Sequence, residues 1–170
     1  MTRTFPKTLW ATALLLLTLP LSAAAAPSTF TEIYEHYDAM LQDLIADQVP
    51  DTKTHGAAIE KAASELGKRW SAAAAGVTTE ASEDVRALLP AVEKAAAALQ
   101  EASELEAVRQ AFYELSKPLV RYWEATASAE GRPIVVYCPM AKKSWLQAKG
   151  DVTNPYYGSS MLACGSVVAE

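Results

Sequence analysis

The chain has 170 residues, of which 15 are basic and 20 acidic, for a net charge of −5. That balance argues against nucleic acid or an anionic lipid surface as a partner. The length is that of one ordinary domain able to bury a core without staples, so the two cysteines need another explanation or close a single bridge.

Arg3 and Lys7 precede an apolar run from Leu9 to Leu21, and the tract Ser22-Ala23-Ala24-Ala25-Ala26 follows. Basic, apolar and small residues in that order predict a secretory signal peptide over residues 1–25. Pro27 disfavours cleavage directly before itself, which puts the cut after Ala24 or Ala25. The competing reading is an uncleaved anchor, but the run is short for a spanning helix. Export would place the chain in the periplasm with no stable membrane insertion, leaving 13 basic residues against the 20 acidic ones, a charge of −7. In that oxidising compartment, a pair of cysteines reads first as one disulfide.

Helical periodicity then dominates. A first helix starts at Thr29, with Glu32 completing a capping box, and carries Phe30, Ile33, Tyr37, Leu41 and Leu44 on one face until Val49-Pro50-Asp51. A second, capped by Asp51 or Thr54, aligns Ile59, Ala62 or Ala63, Leu66, Trp70 and Ala73 and stops at Gly76. A third spans about Ser82 to Ala102 with Val85, Leu88, Val92, Ala95 or Ala96, and Leu99 buried. Pro90 should kink or break it. Ser103 and Glu106 form a second capping box for a fourth helix with Leu105, Val108, Phe112, Leu115, Leu119 and Tyr122 or Trp123 on its stripe. Pro118 should kink that helix as well, and Gly131 closes it. The alanine runs read as close helix packing. The predicted fold is mainly α: an up-down four-helix bundle over 26–131 with a small irregular cap over 132–170, packed as one domain.

The cap opens with the β-type run Pro133 to Tyr137, which leaves room for a short β-hairpin. A short helical stretch is predicted around Ala141–Ala148, and Asn154-Pro155-Tyr156-Tyr157-Gly158 is turn chemistry. Tyr137, Trp145, Tyr156 and the Leu162 region are expected to seat the cap on the bundle. Both cysteines and two methionines lie here, as Cys138-x-Met140 and Met161-x-x-Cys164. Thiolate and thioether are soft donors that select Cu(I), whereas zinc prefers thiolate with imidazole. If the two segments run side by side, Cys138, Met140, Met161 and Cys164 can surround one ion. The alternative is a plain Cys138–Cys164 disulfide that binds no metal.

His36 and Met40 share a face of the first helix. Met40 is expected to pack and His36 to be partly exposed, with a ligand role for the pair as the alternative. His55 is expected at the surface. Trp145 reads as a core anchor, and less readily as an indole lying over a bound cation. No Cys-x-x-Cys pair, phosphate loop, nucleophile elbow or His-Glu-x-x-His motif is present, so the chain reads as a non-enzyme.

The blocks Tyr137-Cys138-Pro139-Met140-Ala141, Trp145-Leu146, Asn154-Pro155-Tyr156-Tyr157-Gly158 and Met161-Leu162-Ala163-Cys164-Gly165 carry a resemblance. With Arg109, Phe112 and Leu115-Ser116 in the last helix, they resemble an uncharacterised periplasmic helical family found alone or fused to adaptor subunits of copper and silver efflux pumps. The resemblance implies heavy-metal handling, the Cys and Met residues as copper ligands, and an efflux adaptor as partner. One departure is the four-residue link between Met140 and Trp145, shorter than the family's glycine-containing insert.

Overall fold

The computed structural model describes Met1, residues 28–126 and residues 132–170. The predicted signal peptide beyond Met1, and Gly131 as a helix stop, fall outside the described residues. No helix among the described residues is long and apolar enough to cross a membrane.

Among the described residues, five α-helices precede a three-stranded sheet. Helix α1 (Thr29–Ile45) buries Phe30, Ile33, Tyr37, Met40, Leu41 and Leu44. Its cap is Ser28 rather than Thr29: the Ser28 hydroxyl accepts from the Thr31 amide at 3.3 Å. Helix α2 (Thr52–Lys68) is capped by Asp51, whose carboxylate accepts from the Thr54 amide at 3.0 Å. It stops before Trp70. Ser71 caps a separate turn, α3 (Ala72–Ala75), and Gly76 at φ 73° ends that turn instead of α2. Trp70 turns aside to donate its indole N–H to Ser82 at 3.2 Å.

Helix α4 (Ser82–Gln100) buries Val85, Leu89, Val92, Ala96 and Leu99 in alternating steps of four and three. Leu89 replaces the predicted Leu88 on that stripe, and Leu88 is half-buried. Helix α5 (Leu105–Ala125) has Glu104 at its N-cap with no side-chain bond, so the predicted Ser103 box does not form. Both helices run through their internal prolines, Pro90 and Pro118. Each helix packs on the next long one: α1 on α2, α2 on α4, α4 on α5. Gly56 permits the close approach of α2 to α4, since a Cβ there would lie 2.9 Å from the Ala96 carbonyl oxygen.

The bundle is least closed between α1 and α5, and the cap packs there. Strands β1 (Ile134–Cys138), β2 (Lys143–Gln147) and β3 (Ser166–Ala169) form an antiparallel sheet in the order β2-β1-β3. The predicted helical stretch Ala141–Ala148 is therefore wrong. Pairing from Ile134↔Gln147 to Cys138↔Lys143 makes 139–142 a hairpin turn, with Lys142 at φ 53°. Helix-compatible local sequence yields to strand pairing that buries Trp145 and Leu146.

Two tyrosines cover the outer edge of β2. The Tyr37 hydroxyl accepts from the Leu146 amide at 3.2 Å and bonds the Ser116 hydroxyl at 2.8 Å. The Tyr156 hydroxyl donates to the Ser144 carbonyl at 2.9 Å and reaches Ser116 at 3.4 Å. Burial pushes both phenols well above their ordinary range, so they stay neutral. Around them Tyr37 stacks on Phe112 with centroids 4.4 Å apart, and Trp145 meets Tyr156 edge-on at 5.7 Å. Trp145 and Tyr156 seat the cap as expected. Tyr137 is half-buried, and Leu162 is exposed because it sits in an outer turn.

Replacing Tyr37 by Phe leaves the Leu146 amide and Ser116 short of a buried partner. It should cost about 1–3 kcal/mol in urea unfolding, whereas Tyr34→Phe, whose hydroxyl makes a part-buried bond to Asp38 at 3.3 Å, should cost less.

Candidate metal centre

Cys138 ends β1 and Cys164 lies just before β3, so the strand pairing of β1 with β3 carries the two cysteines together. Their sulfurs are 2.7 Å apart. Cys138 is fully buried and Cys164 half-buried, and neither is bonded covalently to a partner. The hairpin turn folds back so that the Ala141 amide donates to the Cys138 sulfur at 3.4 Å, with the Met140 amide beside it. Burial alone would raise the Cys138 thiol. The Cys164 thiol, the Ala141 and Met140 amides and the Asn154 side chain outweigh it and hold Cys138 below its ordinary range. Cys164 is pushed up, first by donating to Cys138, then by burial and by the charge on Cys138. Of the two, Cys138 is thus the thiol that gives up its proton more readily, with Cys164 as its donor. The pair can bind a soft cation, with its protons released to solvent, or pass two electrons to an external oxidant and release its protons as a disulfide closes.

Asn154 organises the second cysteine. Its amide side chain donates to the Cys164 carbonyl at 2.7 Å, its backbone N–H donates to the Leu162 carbonyl at 2.7 Å, and its side-chain oxygen accepts from Tyr156 and Tyr157. The Asn154–Gly158 turn is in turn pinned to the helices by Arg109. That buried guanidinium donates to the Pro155 carbonyl at 2.9 Å, the Leu44 carbonyl at 3.2 Å and the Asp47 carboxylate at 2.6 Å. Asp47, at φ 57°, also accepts from the Ser159 amide at 3.1 Å. These bonds from Ser159 and Arg109 hold its carboxyl down at about 2. Gly158, at φ 50°, passes so close that a Cβ would overlap the Asp47 carboxylate and the Arg109 guanidinium.

Met140 is 66% exposed and Met161 38% exposed, so neither thioether is used as core packing. Met161 stands one turn before Cys164, whose amide donates to the Met161 carbonyl at 3.0 Å. The structure brings the two cysteine sulfurs into contact and places the methionines in the two turns that carry them. Among the described residues, no three His, Cys, Asp or Glu side chains converge. Met40 is fully buried and Trp145 is a core anchor. His55 was expected at the surface but is half-buried against His36. Sequence reasoning took Asn154 as turn chemistry only. Its Asn-Pro context marked the turn, while the role of its side chain depends on the return of the chain at Cys164, ten residues later. Asp47 carried no local signal apart from following the last apolar residue of α1.

The family model described as "Protein of unknown function (DUF3347)" matches residues 33–131. That stretch is more than half of the chain and stops before the sheet. No curated protein and no solved structure matches.

Two outcomes are expected from this geometry. Asp47 has a folded value near 2 against about 4 for an unfolded aspartate. The stability it contributes is therefore complete above about pH 4 and is lost as pH falls toward 2. Urea midpoints of the wild type and Asp47→Asn should differ at pH 6 and converge by about pH 2. For the thiols, absorbance at 240 nm should rise in two separated steps. Cys164→Ala should move the lower step upward, because it removes the donor that stabilises the Cys138 thiolate.

Proposed function

The chain belongs to the DUF3347 family, and from that premise we propose that it is a periplasmic soft-metal-binding protein, for Cu(I), acting as carrier, buffer or accessory in heavy-metal efflux. The observation that supports this reading is the contact of the Cys138 and Cys164 sulfurs, with amide donors that favour a thiolate on Cys138. Thiolates supply charge and most of the affinity. The exposed thioethers of Met140 and Met161 extend the donor set with neutral sulfur and bias it toward Cu(I) over Zn(II). No step of the proposal requires catalysis. Residues 1–25 act as the export signal, and the partner is the periplasmic adaptor of a metal efflux pump, as the resemblance of the Cys-Pro-Met-Ala and Asn-Pro-Tyr blocks implies.

The second reading is an interaction domain stapled by a Cys138–Cys164 disulfide, and the same sulfur contact favours it. Formation of that bond removes both thiolates, so one molecule cannot do both at once. Exposed apolar side chains at Met140, Met161, Leu162, Val167 and Val168 would then be the docking surface.

Reduced protein should bind about one Cu(I) in competition with a Cu(I) chelator, and X-ray absorption should show sulfur neighbours only. Cys138→Ser or Cys164→Ser should weaken binding more than Met140→Leu or Met161→Leu, which keep most of the side-chain volume. Variants that all compete like wild type would remove the proposed site. Thiols that resist mild reductant in protein purified from the periplasm would give the function to the disulfide reading.

A further inference from the structure

The two histidines of the chain stand 19 residues apart on different helices, yet their rings meet. His36 on α1 and His55 in the first turns of α2 approach with Nδ1 to Nδ1 at 3.1 Å and ring centroids 5.4 Å apart. Both are half-buried, so the pair lies at the edge of the α1–α2 packing with access to solvent. Met40, one turn beyond His36, is fully buried and takes no part.

We propose that His36 and His55 form a second metal site, independent of the cysteine pair, which binds a divalent cation of the Cu(II) or Zn(II) class through both Nδ1 atoms and completes its coordination with water. The distance carries the proposal. Imidazole nitrogens sit about 2.0–2.1 Å from such an ion, so donors 3.1 Å apart subtend about 100° at the metal. That angle lies between the cis angle of a square-planar site and the tetrahedral angle, so the donor spacing can stay while the two rings turn to aim both lone pairs at one point. A hydrogen bond at this contact needs one ring with its proton on Nδ1 and the other with a free lone pair there. When the cation enters, the first ring shifts its proton to Nε2 and both Nδ1 lone pairs go to the metal, with no net proton lost. Imidazole suits copper and zinc, and Cu(II) stands highest among the divalent first-row ions for nitrogen donors. Glu32 precedes His36 by one helical turn and Asp51 precedes His55 by one, so negative charge flanks both rings. With only two protein ligands, the site exchanges its ion readily. That separates it in chemistry and lability from the thiolate pair.

The test uses the full chain carrying Cys138→Ser and Cys164→Ser, which silences the thiols, with Cu(II) and Zn(II) salts as probes. One Cu(II) per chain should bind with hyperfine coupling from two nitrogens in electron paramagnetic resonance. Either ion should raise Tm, because it links two helices of the folded state only. His36→Gln and His55→Gln should each weaken binding about tenfold or more and abolish the rise in Tm. If either variant fails to fold, the imidazole signals of the parent protein report on the unmutated pair: Cu(II) should broaden both, and signals left sharp would overturn the site. Coupling from one nitrogen, an unchanged Tm, or variants that bind as the parent does would each overturn it too, leaving only a hydrogen bond between the two rings. None of these outcomes touches the Cu(I) proposal, which is read through sulfur.

Discussion

A buried strand edge that has no neighbouring strand governs how this protein is put together. The outer edge of β2 faces the helices, and its Leu146 amide and Ser144 carbonyl need partners in an apolar setting. Tyr37 from α1 and Tyr156 from the Asn-Pro-Tyr turn supply them, and both hydroxyls converge on Ser116 of α5. Ser116 has its own donor committed to the Phe112 carbonyl at 2.8 Å, so the network is anchored in the helix backbone. Phenols suit the task because each brings a large apolar ring and one polar atom. Here the rings join the Phe112 and Trp145 cluster while the hydroxyls satisfy the edge.

From that constraint the role of α5 follows. Arg109, Phe112, Leu115 and Ser116 are all buried. Arg109 grips the Pro155 carbonyl, Phe112 lies between Tyr37 and Tyr156, and Ser116 joins the hydroxyls. The helical part, over which the family match extends, is therefore the seat, and the sulfur pair belongs to what is seated. Asn154 transmits the placement, since its side chain touches the backbone of Cys164 and contributes to the environment of Cys138.

Long apolar stripes made the four principal helices legible in the sequence, because spacings of three and four over five turns admit no other regular structure. Their ends were less so. Ser28 caps in place of Thr29, and Ser103 does not cap at all, because a residue's local preference does not say which hydroxyl will face the free amides. Trp145 and Leu146 were readable as core but not as strand, since five residues bounded by Lys143 and Gln147 fit either structure until β1 lies alongside. The mirrored order of Cys138-x-Met140 and Met161-x-x-Cys164 signalled that two turns could meet. The meeting of His36 with His55 had no such signal, because it depends on how α1 and α2 are rotated about their axes.

The covering of β2 by tyrosines also bears on the order in which the chain assembles. Helices α1, α2, α4 and α5 join neighbours along the sequence, whereas the bond from Leu146 to Tyr37 spans 109 residues. Contacts of such separation carry the largest loop-closure entropy and form late. The helices should accordingly gather first and the sheet should lock on afterwards. The thiol and amide donors that lower Cys138 then come together only near the end of folding, so a chain whose helices have gathered but whose sheet has not yet docked carries two ordinary thiols.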